Sequence, residues 1–256
     1  MRWSIAWSLV AALSVAACTG TGSPTPPSQV PSPAAQSDPT GADVVAAAAA
    51  TPEEPVRMVT LGDGYTNGTG TSVPRSDSWP SQLAEAMERG GVRVLWLNLA
   101  QQSHTSDLVI EEQLAQVAPL QPDVVTLQVG VNDIISRNTS FYRQNVEEIL
   151  DELLTILPPE RIFAITTPDH TLTDYGLSFG PSAEGHAAVE SLNTTLETIA
   201  SSRGIGVIDI SSVNELAARD PSLVIGDGPY GTPKQYAGWV EIIGPHIRAA
   251  LSDGEP

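Results

Sequence analysis

Four short polar segments carry groups that could bind an oxygen atom or move a proton. Each of the first three follows an apolar run, and the fourth lies near the end of the chain. The segments are 61–67, 98–105, 130–133 and 227–236. Backbone N–H groups and asparagine amides in such segments can donate to a carbonyl oxygen or a small anion. The phenol of Tyr230, with an ordinary pKa of about 10, is a proton donor and a poor base at neutral pH.

The first and last segments resemble motif blocks of SGNH/GDSL-type hydrolases. Residues 61–66 read Leu-Gly-Asp-Gly-Tyr-Thr, and 227–232 read Asp-Gly-Pro-Tyr-Gly-Thr. In that family Gly-Asp-Ser supplies the nucleophile and Asp-x-x-His supplies the base. Gly64 occupies the serine position and Tyr230 the histidine position, while Asp227 keeps the acid position. The resemblance implies a hydrolase relative without nucleophile and base, in which Tyr230 either fills the vacated space or recognises a ligand.

The middle segments retain hydrogen-bond donors. Residues 130–133 match the family's Gly-x-Asn-Asp, so the resemblance implies that Asn132 donates to an oxyanion. In 98–105, Ser103 stands where the family has a glycine that contributes a backbone N–H. Gly64, Ser103 and Asn132 together are therefore predicted to form an oxyanion or ligand-binding site without turnover.

Two substitutes for the lost groups are open to consideration. Ser103 and His104 are adjacent, but adjacent side chains in an extended segment point apart, so we expect no Ser-His pair. Asp63, Asp133 and Asp227 could approach one another, but no histidine has ligand spacing to its neighbours, so we expect no metal and no cofactor. The remaining histidines are expected to be exposed or to cap helices: His170, His186 and His246.

Short apolar runs alternate with helical patterns along the chain. The runs, predicted as strands buried on both faces, are 57–61, 92–97, 124–129, 162–166 and 207–210. The predicted helices are 80–89, 106–117, 141–157, 183–202 and 233–251. Apolar residues from Phe141 to Leu157 fall on one helical stripe and are expected in the core. This order predicts an α/β fold, and the family resemblance implies a three-layer α/β/α sandwich around a parallel, five-stranded, flavodoxin-like sheet.

Charge and composition limit the partners and the number of domains. The chain has 256 residues, with 30 Asp plus Glu against 12 Lys plus Arg, a net charge of −18 and a pI near 4.3. Such acidity disfavours nucleic acid as a partner. Residues 19–55, rich in Pro, Ser, Thr and Ala, are expected to form a disordered tether. Residues 56–256 are expected to form a single hydrolase-like domain.

The first 18 residues resemble a bacterial lipoprotein signal peptide. Arg2 precedes an apolar stretch, and Val15, Ala16 and Ala17 lead to Cys18, the single cysteine of the chain. The resemblance to a lipobox implies acylation of Cys18 and anchoring to the extracytoplasmic face of the cell membrane.

The sequence therefore predicts a surface-tethered lipoprotein whose hydrolase-like domain is a pseudoenzyme. Its expected ligands are acylated or cell-envelope molecules, with a small acyl or glycan group as the part recognised. The alternative is an active carboxylic-ester hydrolase, such as an esterase, lipase or deacetylase, that uses atypical catalytic residues.

Overall fold

Five parallel strands form the centre of the protein. The computed structural model describes residues 54–226 and 228–252; the predicted signal peptide and nearly all of the predicted tether lie outside them. The strands are β1 Val56–Gly62, β2 Val94–Asn98, β3 Val124–Gln128, β4 Ile162–Ile165 and β5 Gly206–Ile208. Their order across the sheet is β2-β1-β3-β4-β5, with every neighbouring pair parallel. This confirms the predicted flavodoxin-like sheet.

Helices follow the strands and cover both faces of the sheet. They are α1 Gly64–Asn67, α2 Pro74–Asp77, α3 Trp79–Arg89, α4 Ser106–Leu108, α5 Val117–Leu120, α6 Val131–Ile135, α7 Tyr142–Leu154, α8 Asp174–Leu177, α9 Ser182–Ser202, α10 Ser211–Ala217 and α11 Pro233–Ser252. The longest of them correspond closely to predicted helices. Within the described ranges, no helix combines the length and apolar character needed to cross a membrane.

The alternation of side chains along the strands divides the core in two. On one face, Val59 and Leu61 pack with apolar residues of α7 and α9. On the other face, Met58 packs with residues of α3 and α11, including the fully buried Trp79 and Trp239. Each helical layer therefore buries an apolar stripe against the sheet, which gives the predicted three-layer sandwich.

Strand β2 departs from the prediction that strands are buried on both faces. Leu95 and Leu97 keep 60% and 43% of their surface exposed. The strand lies at the edge of the sheet, and the helices on that side pack over the more central strands. One face of β2 is therefore uncovered, in contrast to β3 and β4, which are buried throughout.

The predicted core position of Phe141 is wrong. Its side chain is 58% exposed, and the adjacent Tyr142 is buried instead. Phe141 belongs to a 3₁₀ turn, Thr139–Phe141, whose tighter winding shifts it off the stripe of α7. Tyr142 begins the α-helix, and its hydroxyl donates to the carbonyl of Val129 at 3.1 Å.

The predicted helix 106–117 is interrupted. Between α4 and α5 the chain forms a π turn, Val109–Gln113, and a 3₁₀ turn, Leu114–Gln116. The buried side chain of Gln113 receives a hydrogen bond from the N–H of Gly62 at 2.9 Å and donates to its carbonyl at 2.8 Å. These bonds hold Gln113 against the end of β1, which accounts for the local widening of the helix.

Candidate functional site

The carboxyl ends of β1, β2 and β3 bring the first three polar segments together. The Asn98 amide donates to the carbonyl of Thr66 at 2.7 Å, joining the second segment to the first. The Asn132 amide donates to the carbonyl of His104 at 2.8 Å, joining the third segment to the second. The loop 98–105 therefore lies between the other two segments, at the edge of the sheet where ligands of this fold class bind.

Asp63 follows the last residue of β1 and is the N-cap of the short helix α1. Its carboxylate accepts a hydrogen bond from the N–H of Tyr65 at 3.0 Å, as an N-cap does. The side chain is 1% exposed, and burial raises its pKa to about 7, with a smaller contribution from the charge of Asp133. Asp63 is therefore a structural cap whose charge is costly in this environment.

The ring of Tyr230 occupies the space next to Gly64. A Cβ atom placed on Gly64 would lie 2.7 Å from both Cε1 and the hydroxyl oxygen of Tyr230, closer than real Cβ contacts come. The Tyr230 ring also packs edge-on against Tyr65, with 5.2 Å between centroids. Burial raises the pKa of Tyr230 to about 12, and the negative charge of Asp63 adds to this. At neutral pH the phenol is a packed, protonated group at the position where the sequence resemblance predicts a base.

The loop that carries Tyr230 closes on itself. The N–H of Ile225 donates to the carbonyl of Tyr230 at 2.9 Å, and Val224 forms a bridge with Gly231. The Tyr65 hydroxyl ties the loop to α1 by donating to the carbonyl of Pro229 at 2.8 Å. Asp227, the predicted acid position, lies outside the described residues.

The predicted oxyanion donors lie on these adjoining segments. Ser103 has an exposed side chain and a left-handed backbone, with φ of 66°, a conformation that glycine adopts with less strain. Among residues 54–226 and 228–252, no acceptor takes the N–H of Gly64 or that of Ser103. Asn132 is half-buried and uses one amide hydrogen for the carbonyl of His104. The site therefore retains hydrogen-bond donors, and the side chain packed against Gly64 is the aromatic ring of Tyr230.

His104 is positioned away from Ser103. Its ring is buried, and Nδ1 lies 2.9 Å from Nε2 of Gln113. Because Oε1 of Gln113 accepts from Gly62, Nε2 must be the donor toward His104, so Nδ1 of His104 accepts and Nε2 carries the proton. That Nε2 lies 3.6 Å from a carboxylate oxygen of Glu112. Both ring nitrogens are therefore directed to partners other than Ser103.

Asp133 joins the third segment to α4. Its carboxylate accepts from the N–H of Ser106 at 3.1 Å and from the Ser106 hydroxyl at 2.5 Å. Burial raises the pKa of Asp133 to about 6, and the bonds from Ser106 oppose that rise. In the described ranges, no three or more His, Cys, Asp or Glu side chains are grouped so that they could hold a metal ion.

The three remaining histidines have different environments. His186 and His246 are exposed, and His186 Nδ1 lies 2.7 Å from the carboxylate of Asp169. His170 is 2% exposed and packs edge-on against the ring of Phe179, so the prediction that it is exposed or capping is wrong. Burial lowers the pKa of His170. Asp169, the residue before it, caps the turn that His170 begins by accepting from the N–H of Thr171.

Gln128 at the end of β3 supports the site and was missed from the sequence. Its Oε1 accepts from the hydroxyl of Thr66 at 3.0 Å and from the indole of Trp79 at 3.2 Å, while Nε2 donates to the carbonyl of Thr166. The available signal was a polar residue closing an otherwise apolar strand pattern. Gln128 fixes α1, and with it Gly64, relative to the sheet.

The motif segments are matched by a family model. The model, described as the GDSL-like Lipase/Acylhydrolase family, matches residues 60–237, which include all four polar segments in full. No curated protein matches the chain.

Solved structures with the same fold share little sequence with this chain. A lipase/acylhydrolase from Enterococcus faecalis is 20% identical, with a TM-score of 0.60, covering 76% of this chain and 96% of that one. An extracellular lipase from Streptomyces rimosus is 18% identical, with a TM-score of 0.59 and coverages of 76% and 99%. A variant of an acetyl xylan esterase from Geobacillus stearothermophilus is 13% identical, with a TM-score of 0.60 and coverages of 75% and 94%. At these identities the likeness concerns the fold.

Proposed function

Because the chain belongs to the GDSL-like lipase/acylhydrolase family, we propose that it is a pseudoenzyme of that family, which binds an acylated or cell-envelope ligand without hydrolysing it. The observation that carries this proposal is the contact between Tyr230 and Gly64. Ester hydrolysis by the family route needs an activated hydroxyl and a base of near-neutral pKa. Gly64 has no side chain, and the pKa of Tyr230 is raised to about 12.

The binding part of the proposal is supported by the donors that remain. The N–H groups of Gly64 and Ser103 take no acceptor from residues 54–226 and 228–252, and the Asn132 amide has a second hydrogen. Donors of this kind favour a carbonyl oxygen or a carboxylate. Because the Tyr230 ring lies against Gly64, a ligand reaches that N–H after the ring turns aside.

Membrane attachment forms the second part of the proposal. The lipobox-like sequence before Cys18 supports lipidation there, with the domain held on the extracytoplasmic face by the Pro-rich tether. Labelling of cells with an alkyne analogue of palmitate tests this: the wild-type chain takes up the label and partitions with membranes, and Cys18→Ser does neither. Equal labelling of the two proteins would contradict the proposal.

Hydrolysis assays test the pseudoenzyme directly. The full-length chain is assayed with short-chain p-nitrophenyl esters beside its Asn132→Ala variant, and both are expected at the rate of buffer alone. Turnover in the wild-type chain that falls in Asn132→Ala would instead favour an active ester hydrolase with atypical residues. Crystals soaked with acetate test the binding part, with density expected beside Asn132. An empty site at high acetate concentration would refute it.

A further inference from the structure

A cavity opens at the end of the sheet opposite the polar motif segments. Its volume is about 800 Å³, and it is formed around the amino ends of β1 and β4, the edge strand β2 and the last turns of α11. The motif segments follow the carboxyl ends of the strands. The cavity is therefore separate from the candidate site.

Most of the cavity wall is apolar. Val56, Val92, Leu95 and Leu251 contribute to it, and Leu95 is 60% exposed on the uncovered face of β2. A large aliphatic side chain exposed inside a concave surface gains free energy when an apolar group covers it. The wall therefore favours a ligand with a hydrocarbon portion.

The polar part of the wall carries an excess of positive charge. Arg57, Arg161 and Arg248 line the cavity with Glu54 and Asp123 as the acidic residues. Arg57 pairs with Asp123, with 3.3 Å between Nε and the carboxylate. In a chain of net charge −18, this local excess of guanidinium groups is unusual.

Two of these guanidinium groups have no carboxylate partner among the described residues. Within residues 54–226 and 228–252, no carboxylate lies at ion-pair distance from Arg161 or Arg248. The turn Pro159–Arg161 packs against α11, the helix that carries Arg248, so both side chains reach the same cavity. Guanidinium groups favour carboxylates, which they bind through paired, charge-assisted hydrogen bonds.

We propose that this cavity binds a free long-chain monocarboxylate. The carboxylate lies at Arg161 and Arg248, and the alkyl chain covers Leu95, Val92 and Leu251. The concave wall suits a single alkyl chain better than a flat membrane surface. This site is independent of the pseudoenzyme assignment, because it uses none of the residues around Gly64.

Calorimetry with dodecanoate, below its critical micelle concentration, tests the proposal. The protein is the full-length chain carrying Cys18→Ser, so that no acyl group attached at residue 18 can compete. Saturable binding is expected, and dodecanol, which lacks the charge, is expected to bind at least about tenfold more weakly. Absence of saturable dodecanoate binding would overturn the proposal.

Variants locate the binding. The Arg161→Gln/Arg248→Gln pair and Leu95→Asp should each raise the dissociation constant about tenfold or more. The matched controls are Arg75→Gln/Arg143→Gln, which alters two exposed arginines outside the cavity, and Leu216→Asp, which alters another exposed leucine. They should bind as the parent does, with thermal melting confirming that every variant is folded.

The candidate site supplies the decisive comparison. Its donors also favour a carboxylate, but dodecanoate bound there would be unaffected by the cavity variants, which lie at the other end of the sheet. Unchanged dodecanoate binding in both cavity variants would therefore place the ligand outside the cavity and overturn the proposal.

Discussion

At the scale of single residues, the missing side chain at position 64 and the bulky one at 230 are complementary. The Tyr230 ring lies where a side chain on residue 64 would begin, at 2.7 Å from a Cβ atom placed there. Replacing a glycine that meets a packed ring forces displacement of that ring. The two positions should therefore be energetically coupled.

A double-mutant cycle on these positions measures that coupling. Gly64→Ala should lower the free energy of unfolding by about 1–3 kcal/mol in the wild-type background. In a Tyr230→Ala background the same change should be neutral or slightly stabilising, because alanine favours the first turn of a helix over glycine. Urea denaturation gives both values. As a control, the effects of Gly64→Ala and Phe141→Ala on the free energy of unfolding should be additive, because Phe141 is exposed. Additive effects of Gly64→Ala and Tyr230→Ala would contradict the packing described.

The buried carboxyl group of Asp63 makes stability depend on pH. Its pKa is raised from 3.8 to about 7, so well below pH 3.8 both the folded and unfolded states are protonated. Between about pH 4 and 7 the unfolded state releases a proton that the folded state keeps, so stability falls as pH rises. Asp133, with a pKa of about 6, also lowers stability as pH rises, but its effect ends at a lower pH than that of Asp63.

Asp63→Asn removes this dependence while keeping an N-cap. The free energy of unfolding of the variant, relative to that of the wild-type chain, should therefore increase with pH. Between pH 4.5 and 7.5 the increase should be at least about 1 kcal/mol. Part of this increase should occur between pH 6 and 7, above the pH range in which Asp133 affects stability. Urea titrations at four pH values measure it, and a difference between the two proteins that does not vary with pH would refute the shifted pKa.

At the scale of elements, the interrupted helix between α4 and α5 holds the end of β1 and the loop 98–105 in place at the candidate site. Gln113 bonds to both backbone groups of Gly62 and to His104. Gln113→Leu leaves these buried groups without partners and should cost about 2–4 kcal/mol of stability. Gln116→Leu, which changes an exposed glutamine in the next turn, should cost less than about 0.5 kcal/mol. Similar thermal and urea midpoints for the two variants would argue against the bonding of Gln113.

The sequence predicted the elements better than it predicted their contacts. Apolar runs of the right length identified all five strands, because the central strands of a parallel sheet are buried on both faces and even the edge strand β2 is partly buried on one. The sequence failed at Phe141 and His170, which lie in 3₁₀ turns whose packing overrides the local pattern. The interruption at Gln113 was also missed, because its cause is bonding to Gly62, which is remote in sequence.

At the scale of the whole molecule, the two ends of the sheet differ. The carboxyl end gathers the described residues of the four polar segments, and the sequence predicted this for the first three because parallel strands end at one edge. That Tyr230 packs on Gly64 depends on the path of a distant loop, so the sequence left its role as filler or recognition group open. The amino end carries an apolar cavity with arginines that no motif indicated, since its lining comes from scattered positions.

Restoring the family residues is the measurement that tests the central claim most directly. Ester hydrolysis is compared among the wild-type chain, Gly64→Ser, Tyr230→His and the double variant. Because nucleophile and base act as a unit, the first three proteins should match the rate of buffer alone. The double variant removes the ring that obstructs residue 64 while supplying both groups, and should show measurable turnover. Hydrolysis by Tyr230→His alone, with residue 64 still glycine, would contradict the account.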